Sequence, residues 1–107
     1  MRSAKILFKG EDAGIITQFD DGTFSFRYHD DWFNNNSKSS ISLTLPKSQA
    51  EYRSEFLFPF FYNMLPEGSN KKLVCKMMRI DAKDDFGLLL AAARYDTIGA
   101  VRIIQIR

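Results

Sequence analysis

Apolar and polar residues alternate through the first third of the chain and then change rhythm. Residues 4–9 (Ala-Lys-Ile-Leu-Phe-Lys) alternate imperfectly, residues 10–14 (Gly-Glu-Asp-Ala-Gly) turn the chain, and two further runs, 14–20 and 23–28, flank Asp21-Gly22. A period of two marks a strand with one buried face. Asp-Gly between two such runs predicts a two-residue type I′ hairpin, because both central residues of that turn take positive φ. The turn then pairs Phe19 with Phe24, Thr17 with Phe26 and Ile15 with Tyr28 on one face, opposite Ile16, Gln18, Ser25 and Arg27. A three-stranded antiparallel meander is the expectation.

Further along, Asp30 or Asp31 is expected to cap a short turn carrying Trp32 and Phe33. Residues 34–40 form a polar Asn/Ser loop, expected to be the most mobile segment. Ile41, Leu43 and Leu45 alternate with Ser40, Ser42 and Thr44 and predict a fourth strand that ends at Pro46. Then Phe56, Phe58, Phe60, Phe61 and Tyr62 place five rings within seven residues, more local apolar area than any other segment carries. Pro59 suits the first position of a short helix, Pro66 cannot continue it, and Gly68 is free to take positive φ. Phe58, Phe60 and Phe61 are expected to divide between the core and a partner-facing patch. Ser69-Asn70 is expected to cap a second helix, with Leu73, Val74, Met77 and Met78 as one apolar stripe and Lys71, Lys72, Lys76 and Arg79 as a basic face opposite. Asp84 or Asp85 starts a third helix through Phe86, Leu89, Leu90 and Ala93, and Gly99 precedes a β-branched final strand. Strands, then helices, then one strand predict an α+β domain: an antiparallel sheet, made of the N-terminal meander plus a returning C-terminal strand, with about three short helices packed on it.

Composition narrows the function classes. A chain of 107 residues is read as a single domain spanning 1–107. The net charge of +2 is the difference between 15 basic and 13 acidic residues that are interspersed, so the basic stripe of a nucleic-acid binder is missing. Neither a secretory leader nor an apolar run near the roughly 18 residues of a membrane span is visible. One cysteine, Cys75, rules out an internal disulfide and fits a reducing, cytoplasmic compartment.

Candidate chemistry is sparse. His29, the only histidine, adjoins Asp30 and Asp31; a His-carboxylate pair can act as a general base, yet nothing converges on it and a solvated strand-end residue is the expectation. Cys75 has a lysine neighbour but no second thiol, and reads as a half-buried structural residue. The doublets Asp20-Asp21, Asp30-Asp31 and Asp84-Asp85 each sit at a turn or helix start, where Asp is favoured without a metal. Six glycines are scattered singly and form no phosphate cradle. No catalytic residue, cofactor or metal site is expected, and the chain is read as a binding protein rather than an enzyme.

Three segments resemble a known family in order and spacing: Ser42-Leu43-Thr44-Leu45-Pro46; Phe58-Pro59-Phe60-Phe61-Tyr62-Asn63-Met64-Leu65-Pro66-Glu67-Gly68; and Ile98-Gly99-Ala100-Val101-Arg102. The series is similar to the N-terminal subdomain of HipA-type toxin kinases. A chain this short resembles HipS, the small component of HipB–HipS–HipT toxin–antitoxin systems, in which that subdomain is a separate polypeptide. The resemblance implies an antitoxin that binds and neutralises a HipT-type serine/threonine kinase, with HipB as a further member of a ternary complex that carries the DNA contacts. The alternative it allows is the N-terminal subdomain of a longer HipA kinase, bracing the kinase in cis. Partner contacts are expected at Leu65, Pro66, Glu67, Gly68, Ser69, Asn70 and Lys72, around the rigid turn. Some stand-alone members carry a bulky aromatic directly after that turn, where this chain has Ser69-Asn70.

Overall fold

Strands β1 (Arg2–Phe8), β2 (Glu11–Gln18), β3 (Phe24–Tyr28), β4 (Glu51–Ser54) and β5 (Val101–Ile106) form one antiparallel sheet in the order β4-β3-β2-β1-β5. The computed structural model describes residues 1–95 and 101–106, without the side chains of 92–95. Among these residues four helices pack on the sheet: α1 (Asp30–Phe33), α2 (Pro59–Tyr62), α3 (Gly68–Met78) and α4 (Asp85–Tyr95). The α+β class and the returning C-terminal strand are as the sequence pattern predicts. Its connection, with Ile98, Gly99 and Ala100, lies outside the described residues.

The type I′ geometry expected at Asp21-Gly22 occurs one hairpin earlier. Lys9 and Gly10 both take positive φ (52° and 83°), and Phe8 pairs with Glu11 across them, so residues 11–14 are strand rather than turn. At the second hairpin only Gly22 has positive φ (88°). Gly22 N donates to Phe19 O at 2.9 Å and Phe19 N to Thr23 O at 2.8 Å, a three-residue loop closed by a glycine bulge. Asp21 Oδ1 accepts from both the amide (2.9 Å) and the hydroxyl (2.6 Å) of Thr23, a local bond that competes with the tighter turn.

That extra loop residue moves the register by one. The pairs are Gln18–Phe24, Ile16–Phe26 and Gly14–Tyr28. Phe24, Phe26 and Tyr28 still face the core, but β2 turns over: Ile16 is fully buried and Ile15 is 39% exposed. Phe19 and Phe24 therefore lie on opposite faces, and the Phe19–Phe24 pairing is refuted. Phe19 instead sits outside beneath the Arg53 guanidinium, 5.2 Å from its ring centroid. The new register also sets what residue 14 can be. A Cβ there would stand 2.5 Å from Arg27 O and 2.9 Å from the Phe26 ring, so only glycine lets β2 and β3 close. A bulge between Ile6 and Leu7, with Ala13 as the extra residue, restores the alternation next to β1.

Residues 41–46 are not the fourth strand. Ile41 and Leu45 are buried and Leu43 is 98% exposed, but the alternation comes from a turn in which Leu45 N donates to Ser42 O (3.1 Å) and Thr44 N to Ser42 Oγ (3.1 Å). The buried Tyr28 hydroxyl clamps the loop, accepting from Ile41 N (3.1 Å) and donating to Leu45 O. Strand β4 falls in Glu51–Ser54, where charged Glu51 and Arg53 suit an edge and the single aromatic, Tyr52, makes no apolar alternation. The Asn/Ser loop is tied back as well, with Trp32 Nε1 donating to Ser39 O and the Lys47 ammonium to Asn35 O and Lys38 O.

The core runs between sheet and helices. Phe61 of α2 is its hub, with its ring centroid 5.1 Å from Phe60, 5.8 Å from Phe26 and 6.4 Å from Phe58. From α4 come Phe86, Leu88 and Leu89, all essentially inaccessible. Asp84 caps α4 by accepting from Gly87 N at 3.1 Å, and Arg2 grips the same carboxylate at 2.6 and 3.1 Å while lying 5.0 Å from the Phe86 ring centroid. The Arg2 hydrogen bond, helped by the Gly87 amide and the guanidinium charge, holds the Asp84 carboxyl below the usual carboxylate range against the opposing effect of burial. Arg2 thereby staples β1 to the start of α4.

Candidate functional site: the α2–α3 turn and the outward face of α3

Pro59 occupies the first turn of α2, where its missing N–H leaves nothing unsatisfied, and Phe58 precedes it in extended geometry. One turn later Met64 N donates to Phe61 O (3.0 Å) and Leu65 N to Tyr62 O (3.1 Å), tightening the exit. Phe58, Phe61 and Leu65 are buried, whereas Phe60 is half-buried. The rings that reach solvent are not the expected ones but Phe56 (76% exposed) and Tyr62 (53%).

The seven residues expected to meet a partner fall into two groups. Leu65 is a core anchor with 9% of its surface accessible, so it supports the turn rather than presenting itself. Pro66 is half-buried; Glu67, Gly68, Ser69, Asn70 and Lys72 are exposed. The cap of α3 is Glu67 in extended geometry, not Ser69-Asn70, and Gly68 behind it takes φ +56°, a conformation that glycine adopts without strain. Glu67 makes no side-chain capping bond; its carbonyl accepts from Lys71 N at 3.2 Å. Its carboxylate is therefore held only by proximity to the positive end of the helix.

Helix α3 differs from the expected amphipathic element. None of its residues is fully buried. The expected stripe is split along its length: Val74 and Met78 turn inward with Cys75 and are half-buried, while Leu73 (55%) and Met77 (71%) stand in solvent beside Lys72 and Lys76. Positions 71, 74, 75 and 78 make the inner face, and 69, 72, 73, 76 and 77 the outer one. Lys71, Lys72 and Lys76 line a shallow open groove with Gly68, Cys75 and Ala82. Arg79 ends the helix in the left-handed region at φ 54°, and Ile80 N donates to Cys75 O at 3.0 Å, drawing the half-buried Ile80 onto the core.

Other chemistry does not assemble around this surface. His29 is exposed and spent as the cap of α1, where Nδ1 accepts from Asp31 N at 3.3 Å in place of the expected Asp30 or Asp31. Among the described residues no group of three or more His, Cys, Asp or Glu side chains is placed to hold a metal ion, and no helix is long and apolar enough to cross a membrane. The signal that sequence reasoning missed is the polarity of the inward position 71 and the apolar residues at 73 and 77: a helix with charge on its inner side and hydrophobes on its outer one has two faces, not one.

Comparison with known proteins agrees with the fold. The profile of the family described as HipA N-terminal domain matches residues 4–104. An uncharacterized protein of Haemophilus influenzae is 34% identical over 103 residues, covering 96% of this chain and 92% of that protein. The putative kinase Y4mE of Sinorhizobium fredii is 26% identical over 104 residues, 97% of this chain, which spans 24% of that kinase's length. A solved structure described as the N-terminal domain of HipA toxin superposes with a TM-score of 0.68 at 28% identity, covering 100% of this chain and 94% of the other. Family profile, relatives and superposition coincide over nearly the whole chain: it belongs to the HipA N-terminal domain family.

Proposed function

We propose that this chain is a non-catalytic docking protein that binds a HipA-type serine/threonine kinase and holds it inactive, as the antitoxin of a toxin–antitoxin system. The observation that carries this reading is the turn after α2, which is exposed at Glu67, Gly68, Ser69 and Asn70 yet anchored from beneath by buried Leu65 and Phe61. A turn fixed in this way loses little conformational entropy on binding. Restraint of the relative motion of the kinase lobes is the physical route to inhibition. The match to H. influenzae over 92% of that protein supports a role for this fold as a short polypeptide. The second reading, a subdomain bracing a kinase in cis, is favoured by the match to one quarter of Y4mE.

Co-expression with a HipA-type kinase, followed by size-exclusion chromatography and phosphotransfer assays, tests the proposal. A stable complex with depressed phosphotransfer is expected. Glu67→Lys should weaken the complex while costing about 0.3–1 kcal/mol of stability, the effect of a cation near a helix N-terminus. Undiminished inhibition by Glu67→Lys removes the turn from the mechanism, and an absent complex refutes the antitoxin reading.

A further inference from the structure

Among the described residues neither an ion pair nor a core contact uses the outer face of α3. A helix of 11 residues, about 16 Å long, normally owes its stability to a buried apolar face, but α3 buries no residue completely and turns Leu73 and Met77 into solvent. From residue 68 to residue 80 the chain carries three lysines and one arginine and not a single Asp or Glu. Among the described residues, none of Lys71, Lys72, Lys76 and Arg79 has a carboxylate within ion-pair distance. On the outer face Leu73 and Met77 stand one turn apart, as do Lys72 and Lys76 next to them.

We propose that this face docks an acidic amphipathic helix or ridge of a protein partner, whose apolar residues cover Leu73 and Met77 and whose carboxylates meet Lys72 and Lys76. The proposal rests on the kinase-docking reading and names the chemistry of the surface that the kinase brings. Charge selects among the occupants. A second copy of this chain would set lysines against lysines, at a cost that two leucines and two methionines do not recover. A nucleic acid would be met by few cations with apolar residues set between them, where a phosphate track calls for a cationic groove with polar rims. A membrane surface calls for a wider apolar face with aromatic anchors, and α3 has no aromatic residue. An acidic protein helix laid along α3 satisfies both the apolar pair and the adjacent cations on one face.

The experiment uses the full chain with the HipA-type kinase of the co-expression test. Affinity is measured by calorimetry at about 50 and about 500 mM salt for the unaltered protein, for Lys72→Glu/Lys76→Glu and for Leu73→Ser/Met77→Ser. Each double variant should lose about tenfold or more in affinity, with only a small fall in melting temperature, from helix propensity and the helix dipole, because all four positions are exposed. The charge pair should also lose its salt dependence. Carbodiimide coupling on the unaltered complex, which joins an amine only to a carboxylate in contact, should link Lys72 or Lys76 to a kinase Asp or Glu and settles the matter even where a variant folds poorly. Kinase binding that both variants retain within about twofold, or coupling only at other lysines, overturns this inference and leaves the docking reading standing. Loss on the serine pair alone overturns the acidic assignment. Lysine-dependent binding to a DNA duplex or to phosphatidylglycerol vesicles in place of the kinase overturns it in favour of those ligands. No binding of the unaltered chain to the kinase removes both readings together.

Discussion

Removing one oxygen atom tests the internal architecture most sharply. Tyr28 is 1% exposed, and its hydroxyl accepts from Ile41 N and donates to Leu45 O, joining β3 to both ends of the turn that lifts Leu43 into solvent. Tyr28→Phe leaves the ring in place, so no cavity of consequence forms. It does strand a buried amide and a buried carbonyl, and each unsatisfied buried group costs about 1–3 kcal/mol. Partial relaxation of the loop argues for a total of about 2–4 kcal/mol, a sizeable part of the 5–15 kcal/mol typical of a domain. With an unfolding entropy of about 2 cal/mol/K per residue, a chain of this length should melt about 10–20 °C lower.

The control is Tyr52→Phe. That hydroxyl donates to Pro46 O at the surface, where water can replace it, and its loss should cost under about 1 kcal/mol. Circular-dichroism melts and urea titrations of the two variants provide the comparison. Equal melting temperatures for the two, or a Tyr28→Phe protein within about 2 °C of the parent, would show that the hydroxyl clamp carries no net energy. Burial also pushes the Tyr28 phenol above its ordinary value. A group with a raised folded pKa gives stability that is intact below the unfolded value and lost as pH rises through the folded one. The parent should therefore weaken at alkaline pH more steeply than Tyr28→Phe.

Three further outcomes follow from the same structure. Gly14→Ala, which forces a methyl against Arg27 O and the Phe26 ring, should cost about 2–3 kcal/mol in thermal or urea unfolding, and a neutral result would contradict the β2–β3 register. Arg79→Gly relieves a left-handed backbone at the end of α3 and should gain about 0.5–1 kcal/mol; a destabilised variant would mean that the Arg79 side chain supports the fold. Asp84→Asn should lose about 1–2 kcal/mol near neutrality, a modest figure for a pair about one-third exposed. Because the Asp84 carboxyl is depressed in the folded state, its contribution is present above about pH 4, the unfolded value, and disappears as pH falls through the folded one. The gap between parent and Asp84→Asn should thus be level from neutral pH to about pH 5 and close below about pH 4, and a gap that persists at low pH would deny the ion pair its role.

Much of the fold was legible because it rests on local rules. The alternation of β1 and β3, the helix start at Pro59, the acidic cap of α4 and the β-branched run of β5 all appear where the sequence places them. The errors have a common physical origin. Asp-Gly admits two hairpin geometries, and the choice depended on whether the Asp21 carboxylate bonded to Thr23, a side-chain preference that the hydrophobic pattern does not contain. Both registers bury a plausible face of β2, since Ile15 and Ile16 are chemically equivalent and adjacent. Ser40 to Leu45 alternates as a strand would, yet hydroxyl bonds within Ser42-Leu43-Thr44 and the distant Tyr28 bend it into a turn. Strand β4 carried no apolar alternation at all, and only pairing with β3 defines it.

The candidate site was legible to a different degree. Its rigid base, from Phe58 to Leu65, follows directly from ring density and two prolines. The rotation of α3 about its own axis does not. Leu73, Val74, Met77 and Met78 form a continuous stripe on a helical projection, and a core wide enough would have taken all four. In the structure Val74 and Cys75 pack against the core and Met78 is half-buried, while Leu73 and Met77 are left exposed. The half of the stripe left over is what sets α3 apart from an ordinary scaffold helix. Chain entropy at its two ends is already lost, at Leu65 through burial and at Ile80 through its bond to Cys75 O and its contact with the core. A partner that covers Leu73 and Met77 therefore gains apolar burial with little further ordering of this chain. Such a surface costs the isolated protein little and would return its energy only in a complex, which is the thermodynamic requirement of the proposed docking role.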